Sequence, residues 1–533
     1  MLDPIYDECG VAAVFRMDRT PPGVRDGEVH PGDSNVVRFL PNMLIDLQNR
    51  GQLAAGITRY NENALQIIDT YKRVGSVSDV FHLTLPDPSK FQNIIEEYSG
   101  RAGIGHVRYA TCGRDDASFA QPFERHEGRK WKWFAFGFNG NIANYPQLRV
   151  ELEEKGYHLV RDTDTELLHH HFCYALEKKT KPDFVDVFRQ IDRYVDGAYS
   201  LVFLNADGDL VVARDKYGFR PLCYAVQGNL FAAASESIAL KNLGFHDNEI
   251  RDVEPGTLIH VTRDGFQTRT FAEANRRAFC FFEYVYFANV ASRLNGRSVY
   301  LTRTRLGEAL AETEHIQPDP VDCIAVPVPD TAKAACDAMA FHLGIPSREG
   351  LIRNRYVGRT FIEGTNRSER VKRKFTALPE VLKGKRVFLV EDSIVRATTL
   401  RVIVKMLREQ GQAKEVHVRV ACPPILAPCS YGIDMSTVRE LFAPKFLQTH
   451  EPGDLTQVDS ETLSQELGTD SLRYLTVNQL VNAIDAGKNE LCLGCLTGEY
   501  PTRWGDKNYQ TALKEKDGPQ TRRTYERALT PNT

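Results

Sequence analysis

This chain has almost no net charge: 67 Lys and Arg against 70 Asp and Glu leave −3 over 533 residues. Without a basic excess there is no general electrostatic case for a nucleic-acid partner, so any basic cluster has to be judged where it stands. Long apolar runs are missing too. No stretch approaches the ~18 residues that cross a bilayer, and Met1 to Glu8 has neither the charged nor the apolar region of a secretory signal. The expectation is a cytoplasmic protein with no membrane partner. Cysteine is sparse for the length: eleven, scattered, do not make a disulfide scaffold and suit reduced thiols, metal ligands or a nucleophile. The chain is also too long for one core, and ~150 residues per domain predicts two to four.

What is present is most specific at Val387-Phe388-Leu389-Val390-Glu391-Asp392-Ser393-Ile394-Val395-Arg396-Ala397-Thr398-Thr399. Four apolar, mostly β-favouring residues run into two carboxylates, a hydroxyl-rich turn and a helical pattern from Leu400 to Gln410, which reads as a buried parallel strand delivering a loop to its C-terminal end. Ligands bind there in open α/β sheets. Two carboxylates can accept from a pair of sugar hydroxyls, while backbone N–H groups and the Thr398 and Thr399 hydroxyls at a helix start can hold a phosphate. The stretch resembles the phosphoribosylpyrophosphate (PRPP) motif of type I phosphoribosyltransferases. The bland alternative is a buried strand followed by an acidic turn.

Towards the N-terminus stand Cys9-Gly10-Val11-Ala12-Ala13-Val14-Phe15, Asn49-Arg50-Gly51-Gln52, Gly103-Ile104-Gly105-His106-Val107-Arg108, Phe138-Asn139-Gly140-Asn141-Ile142 and Thr163-Asp164-Thr165-Glu166. Singly each is a glycine turn, a strand or a capped helix start, and Cys9 alone reads best as a core thiol. Together, in this order, they resemble the glutaminase domain of the N-terminal-nucleophile (Ntn) amidotransferases. Glutamine hydrolysis needs a nucleophile, a base, an oxyanion site and a grip on the amino-acid head. Cleavage at Glu8–Cys9 would free an α-amine whose ordinary pKa of ~7.7 to 8 suits general-base work. By resemblance Asn139 and the Gly140 N–H form the oxyanion hole, Arg108 pairs with the glutamine α-carboxylate, Asp164 with its ammonium, and Arg50 joins the glutamine-binding set. His169 to His171 point to different sides of a helix and read as structural.

The aromatic run Cys280-Phe281-Phe282-Glu283-Tyr284-Val285-Tyr286-Phe287 and the stretch from Val299 to Gly307 narrow the resemblance to the amidophosphoribosyltransferase family, over roughly residues 9 to 502. It implies an α+β Ntn hydrolase αββα glutaminase domain joined to an α/β type I phosphoribosyltransferase domain. The expected boundaries are a propeptide at 1–8, glutaminase at 9–270, transferase at 271–445 and a C-terminal segment at 446–533 whose end, after Pro501, is a polar tail. The implied PRPP-binding residues are Thr331, Arg359, Lys374, Glu391, Asp392, Ser393, Arg396, Thr398 and Thr399, with Glu391 and Asp392 also placing Mg2+. The basic segment from Arg353 to Lys374 lacks a stacking platform beyond Tyr356 and Phe361, so it reads as a flap closing over a polyanion rather than a nucleic-acid surface.

The C-x-x-C of Cys492 and Cys495, taken alone, is half a zinc site, a redox pair or half an iron–sulfur site. The family resemblance adds Cys280 and Cys429 and implies a 4Fe-4S cluster. It further implies a homo-oligomer, dimer or tetramer, with glutamine and PRPP as substrates and purine nucleotides as inhibitors. The implied reaction gives 5-phosphoribosylamine, pyrophosphate and glutamate, the first step of de novo purine synthesis. A paralogue in a specialised nucleotide-like pathway and a PRPP-sensing regulator are the rivals. Three departures stand out: Leu53 and Glu391 where relatives usually carry an acidic residue and aspartate, and Ala397 for the usual glycine. If position 397 needs φ > 0, its methyl costs roughly 1 kcal/mol.

Overall fold

The computed structural model describes residues 9–26, 34–84, 88–108, 117–161, 163–354, 374–435, 437–447 and 457–515. Its N-terminal part is built on two antiparallel sheets. One has seven strands, in the order Arg251–Asp252, Cys223–Gln227, Leu230–Ala234, Gly10–Arg16, Ala102–Arg108, Ala54–Tyr60 and Ile68–Val74. The other has six, in the order Gly265–Thr270, Thr257–Thr262, Leu210–Arg214, Gly197–Asn205, Phe134–Ile142 and Phe123–Arg125.

Strand alternation explains the layering. Val11, Ala13 and Phe15 point between the sheets, meeting Ala135, Val202 and Leu204 in one buried cluster. Ala12 and Val14 face the other way, onto Leu40, Leu44 and Leu240 from the covering helices. On the far side of the second sheet Phe134, Phe136 and Phe138 pack on Leu167, Phe172 and Phe188. Helix, sheet, sheet and helix follow in order, which is the αββα arrangement, and its last strand ends at Thr270.

The second part centres on a four-stranded parallel sheet, ordered Cys323–Pro327, Arg386–Glu391, Glu415–Val420 and Ser471–Tyr474. Val387 to Val390 are fully buried, as expected of a strand covered on both faces. The transferase boundary expected at 445 is too early. The fourth strand comes from beyond it, pairing Leu472 with Val418, and Leu472, Leu475, Leu480 and Ile484 join the same core. A four-residue strand carrying an arginine gives too little period-2 signal to be seen in the sequence.

The polar tail expected after Pro501 also starts later. Arg503–Lys514 is a helix capped by Thr502, whose hydroxyl accepts from Gly505 N–H, and it buries Tyr509 and Ala512. It returns to the glutaminase part: Trp504 N–H donates to Asp196 at 3.2 Å and the Asn508 amide to the Ala143 carbonyl at 2.9 Å. The propeptide at 1–8, the interior of the expected flap with Arg359, and the tail from 516 lie outside the described residues. Among the described residues no helix is long and apolar enough to cross a membrane.

Candidate active sites

Cys9 sits at the head of the strand Gly10–Arg16, on the rim of a pocket it lines together with Arg108, Phe119, Gln121, Phe123, Phe138, Gly140, Thr163, Asp164 and Thr165. Arg108 ends its strand with the guanidinium carbon 5.6 Å from the Phe119 ring centre. Asp164 is the first residue of the helix Asp164–Leu176, for which Thr163 is the cap. Gly140 is required by close approach: a Cβ there would lie 1.9 Å from the Ala198 carbonyl oxygen of the paired strand.

Beside it the Asn139 side chain is 1% exposed, and neither its amide nitrogen nor its oxygen has a hydrogen-bond partner among the described residues. An unmet buried amide costs about 1–3 kcal/mol unless something outside the described residues meets it.

Arg50 is placed differently from the expectation. It is fully buried, outside the pocket lining, and holds Cys9 from behind through a 3.2 Å hydrogen bond to the Cys9 carbonyl. Its other nitrogens donate to Glu236 at 2.8 Å and to both oxygens of Glu283, at 3.0 and 2.6 Å. Arg220 reaches the same Glu283 at 3.4 Å, so two guanidinium groups face two buried carboxylates at the junction of the two parts.

The carboxylate loop leaves the end of the strand Arg386–Glu391 as expected. Asp392 accepts from Ser393 Oγ at 2.6 Å and from the Thr331 hydroxyl, which arrives from the loop after the strand Cys323–Pro327. Burial first, then the Asp392 charge, push Glu391 well above the usual carboxylate range, and Lys374 opposes that rise. Burial likewise raises Asp392, against hydrogen bonds from Ser393 and Thr331 and the charge of Arg303. The pair therefore calls for positive charge in front of it. Arg396, by contrast, is turned towards Glu440 at 3.2 Å and Asp434 at 3.9 Å.

Ala397 has φ +63°, in the left-handed region, and immediately precedes the helix Thr398–Glu409. Ala397, at the cap position, has no side chain to cap that helix, so Thr398 and Thr399 open it without a capping hydrogen bond from that position.

All four cysteines of the expected cluster are buried. Cys280 and Cys492 are paired residues of a short parallel ladder, and the Ala427 N–H donates to the Cys495 carbonyl at 3.0 Å, two residues before Cys429. Burial raises the Cys495 thiol, and the nearby charges of Cys429, Cys492 and Cys280 raise it further. Among the described residues no three His, Cys, Asp or Glu side chains close on a point that a single ion would occupy.

A family model for a glutamine amidotransferase domain matches residues 106–242. The amidophosphoribosyltransferase of Methanothermobacter thermautotrophicus is 38% identical over 93% of this chain and 95% of its own length. The chain belongs to the amidophosphoribosyltransferase family. The Bacillus subtilis family member is 34% identical over 93% of this chain and 95% of its own. The solved structure of the glutamine PRPP amidotransferase from B. subtilis, complexed with ADP and GMP, superposes with a TM-score of 0.77 at 33% identity, covering 93% of this chain and 98% of that one. As in those relatives' fold, the glutaminase and phosphoribosyltransferase parts share one polypeptide.

Within this family member, three side chains at the sites escaped the sequence reading. Gln121 lines the glutaminase pocket, and Glu236 is fully buried in the ion network behind Cys9. Arg303 donates to the carbonyls of Tyr284, Tyr286 and Ala288 at 3.0, 2.9 and 2.8 Å, and its charge favours ionised Asp392. None sits in a local pattern that marks it; only the folded contacts do.

Proposed function

We propose that this chain hydrolyses glutamine at Cys9 and passes the ammonia to C1 of PRPP, yielding 5-phosphoribosylamine, pyrophosphate and glutamate in the first step of de novo purine synthesis. The observation that carries the glutaminase half is the pocket that Cys9 lines together with Arg108, Gly140 and Asp164, with the buried, unpartnered amide of Asn139 next to Gly140 in the chain. The free Cys9 α-amine takes the thiol proton, and the resulting thiolate attacks the amide carbon of glutamine. The oxygen that becomes negative is received by the Asn139 amide and the Gly140 N–H, a contact worth ~10²–10³ in rate per donor in comparable sites. Arg108 and Asp164 hold the carboxylate and ammonium of the substrate. Ammonia leaves with a proton from the Cys9 α-amine, and water then cleaves the thioester to glutamate. Arg50 serves from behind, fixing the Cys9 carbonyl.

In the transferase half, Glu391 and Asp392 hold the ribose hydroxyls, Thr331 and Lys374 approach the pyrophosphate, Ser393 orients Asp392, and the helix start at Thr398 and Thr399 binds the 5-phosphate. Arg396 sets the loop through Glu440 and Asp434. Arg359 joins the pyrophosphate contacts from the flap. Shielding the site matters because ammonia in bulk water at neutral pH is mostly protonated and not nucleophilic.

Two inorganic groups fit the residues present. The raised, mutually repelling carboxylates of Glu391 and Asp392 suit Mg2+, which supplies charge neutralisation for the departing pyrophosphate. The buried thiols of Cys280, Cys429, Cys492 and Cys495 would be the residues to hold a 4Fe-4S cluster. Its role here is structural, joining the C-terminal segment to the transferase core.

Purine nucleotides act as inhibitors, the assembly is a homo-oligomer and the location cytoplasmic. Intact-mass analysis tests the nucleophile assignment: the active chain starts at Cys9. An active chain retaining Met1 to Glu8 would refute it.

A further inference from the structure

The strand pairing of Phe123–Arg125 with Phe134–Ile142 stops at Phe123 opposite Phe136. Two residues on, the same register would set Gln121 against Phe138, but the Gln121 main chain has turned away. Its carbonyl lies 2.4 Å from where a Gly56 side chain would begin, and Lys72 Nζ donates to the next carbonyl, that of Pro122, at 2.9 Å. Side chains take over the lost ladder. Gln121 Oε1 accepts from Phe138 N–H at 2.8 Å, and His106 Nε2 lies 3.1 Å from the Phe138 carbonyl. An imidazole nitrogen facing a carbonyl must carry the proton, and burial pushes His106 down to about 3, so it stays a neutral single donor at working pH.

Phe138 is the residue before Asn139, and its carbonyl belongs to the peptide joining the two. The other end of the Gln121 amide faces the opposite wall: Nε2 donates to Thr165 Oγ1 at 3.3 Å, and that hydroxyl lies 3.4 Å from Asp164 Oδ1. Gln121 is 4% exposed and Thr165 6%. One amide therefore spans from the main chain of the residue before Asn139 to the helix start that carries Asp164.

We propose that Gln121 is a positioning residue of the glutaminase site, setting the oxyanion strand and the ammonium clamp at one fixed separation, with His106 holding the same residue, Phe138, through its carbonyl. This rests on the glutaminase reading above. The span matches the substrate's chemistry: an α-amino acid whose side-chain amide must reach the nucleophile while its ammonium is anchored. Gln121 thus selects for the length of the chain between the two groups.

Two arms predict two signatures. Gln121→Glu keeps an acceptor for Phe138 N–H and offers Thr165 no donor, so the glutamine KM rises about tenfold with kcat retained. Gln121→Met removes both arms and lowers kcat as well, by ~10²-fold, the scale of a misaimed oxyanion donor. Thr165→Val cuts the clamp arm from its other end, so Gln121→Glu and Thr165→Val are non-additive in KM, while pyrophosphate release driven by added ammonia reports that the chain is folded. An additive cycle, or a Gln121→Met chain within twofold of the parent in glutamine kcat/KM, overturns the proposal. A parent chain that hydrolyses no glutamine refutes the function reading instead, before any variant is compared.

Discussion

Replacing Ala397 by glycine tests how the PRPP loop of this chain is tuned. The residue stands at φ +63° and ψ −6° directly before the helix Thr398–Glu409. A left-handed L-residue with a Cβ costs about 1–2 kcal/mol, which glycine does not pay. Against that, the methyl is 6% exposed, and deleting one buried carbon gives back about 0.8 kcal/mol, with unfolded-state entropy of glycine adding a similar loss. Global stability should therefore move by under about 1 kcal/mol. Ligand binding does not share this cancellation, because the backbone strain falls on the conformation that presents the loop N–H groups to phosphate. Relief of ~1 kcal/mol raises the population of that conformation up to about fivefold. The assay is ammonia-driven pyrophosphate release at varied PRPP, which bypasses the glutaminase. Ala397→Gly is expected to lower the PRPP KM by two- to fivefold with kcat unchanged; an unchanged or raised KM refutes the reasoning.

Breaking the ion network behind Cys9 is expected to be costly: Glu283→Gln leaves Arg50 and Arg220 facing less charge than they need, and about 3–5 kcal/mol of stability should be lost, read as a fall in the thermal midpoint. Burial holds His106 down at about 3, and His169 and His171 at about 4, so the folded chain keeps them neutral while the unfolded chain protonates them below ~6.5. The unfolded state then binds more protons, and stability falls as pH drops from ~6.5 towards 4, by up to about 1.4 kcal/mol per pH unit for each histidine. A His171→Gln chain should show a shallower loss of thermal midpoint across that window, and an unchanged slope would contradict the assignment. Anaerobically purified protein should carry iron and acid-labile sulfide, about four of each per chain, and Cys492→Ser should lose both; stoichiometric zinc without sulfide would end the cluster reading.

Much of the architecture was legible because its signals are local. The apolar run Val387 to Val390 ending in two carboxylates is a strand and its loop within one short stretch. The φ > 0 demand at 397 followed from a missing glycine. Contacts between distant segments left no such trace. Arg50 was read as gripping substrate because it lies in a glutaminase motif, yet three of its nitrogens are claimed by Cys9, Glu236 and Glu283, two of them far along the chain. The fourth parallel strand at Ser471–Tyr474 was hidden by its brevity, and the helix Arg503–Lys514 by a polar composition that masks buried Tyr509 and Ala512. Gln121 became visible only once the register of two strands showed which hydrogen bond its side chain replaces.

The central claim is transfer of the glutamine amide nitrogen to PRPP within one chain. Supplying glutamine labelled with nitrogen-15 at the amide, together with PRPP, Mg2+ and unlabelled ammonium in the medium, tests it directly. The account predicts labelled 5-phosphoribosylamine with one pyrophosphate released per glutamate formed, and loss of the label but not of ammonia-driven release in Cys9→Ala. PRPP binding without pyrophosphate release from either nitrogen source would contradict it and leave a sensor in place of an enzyme.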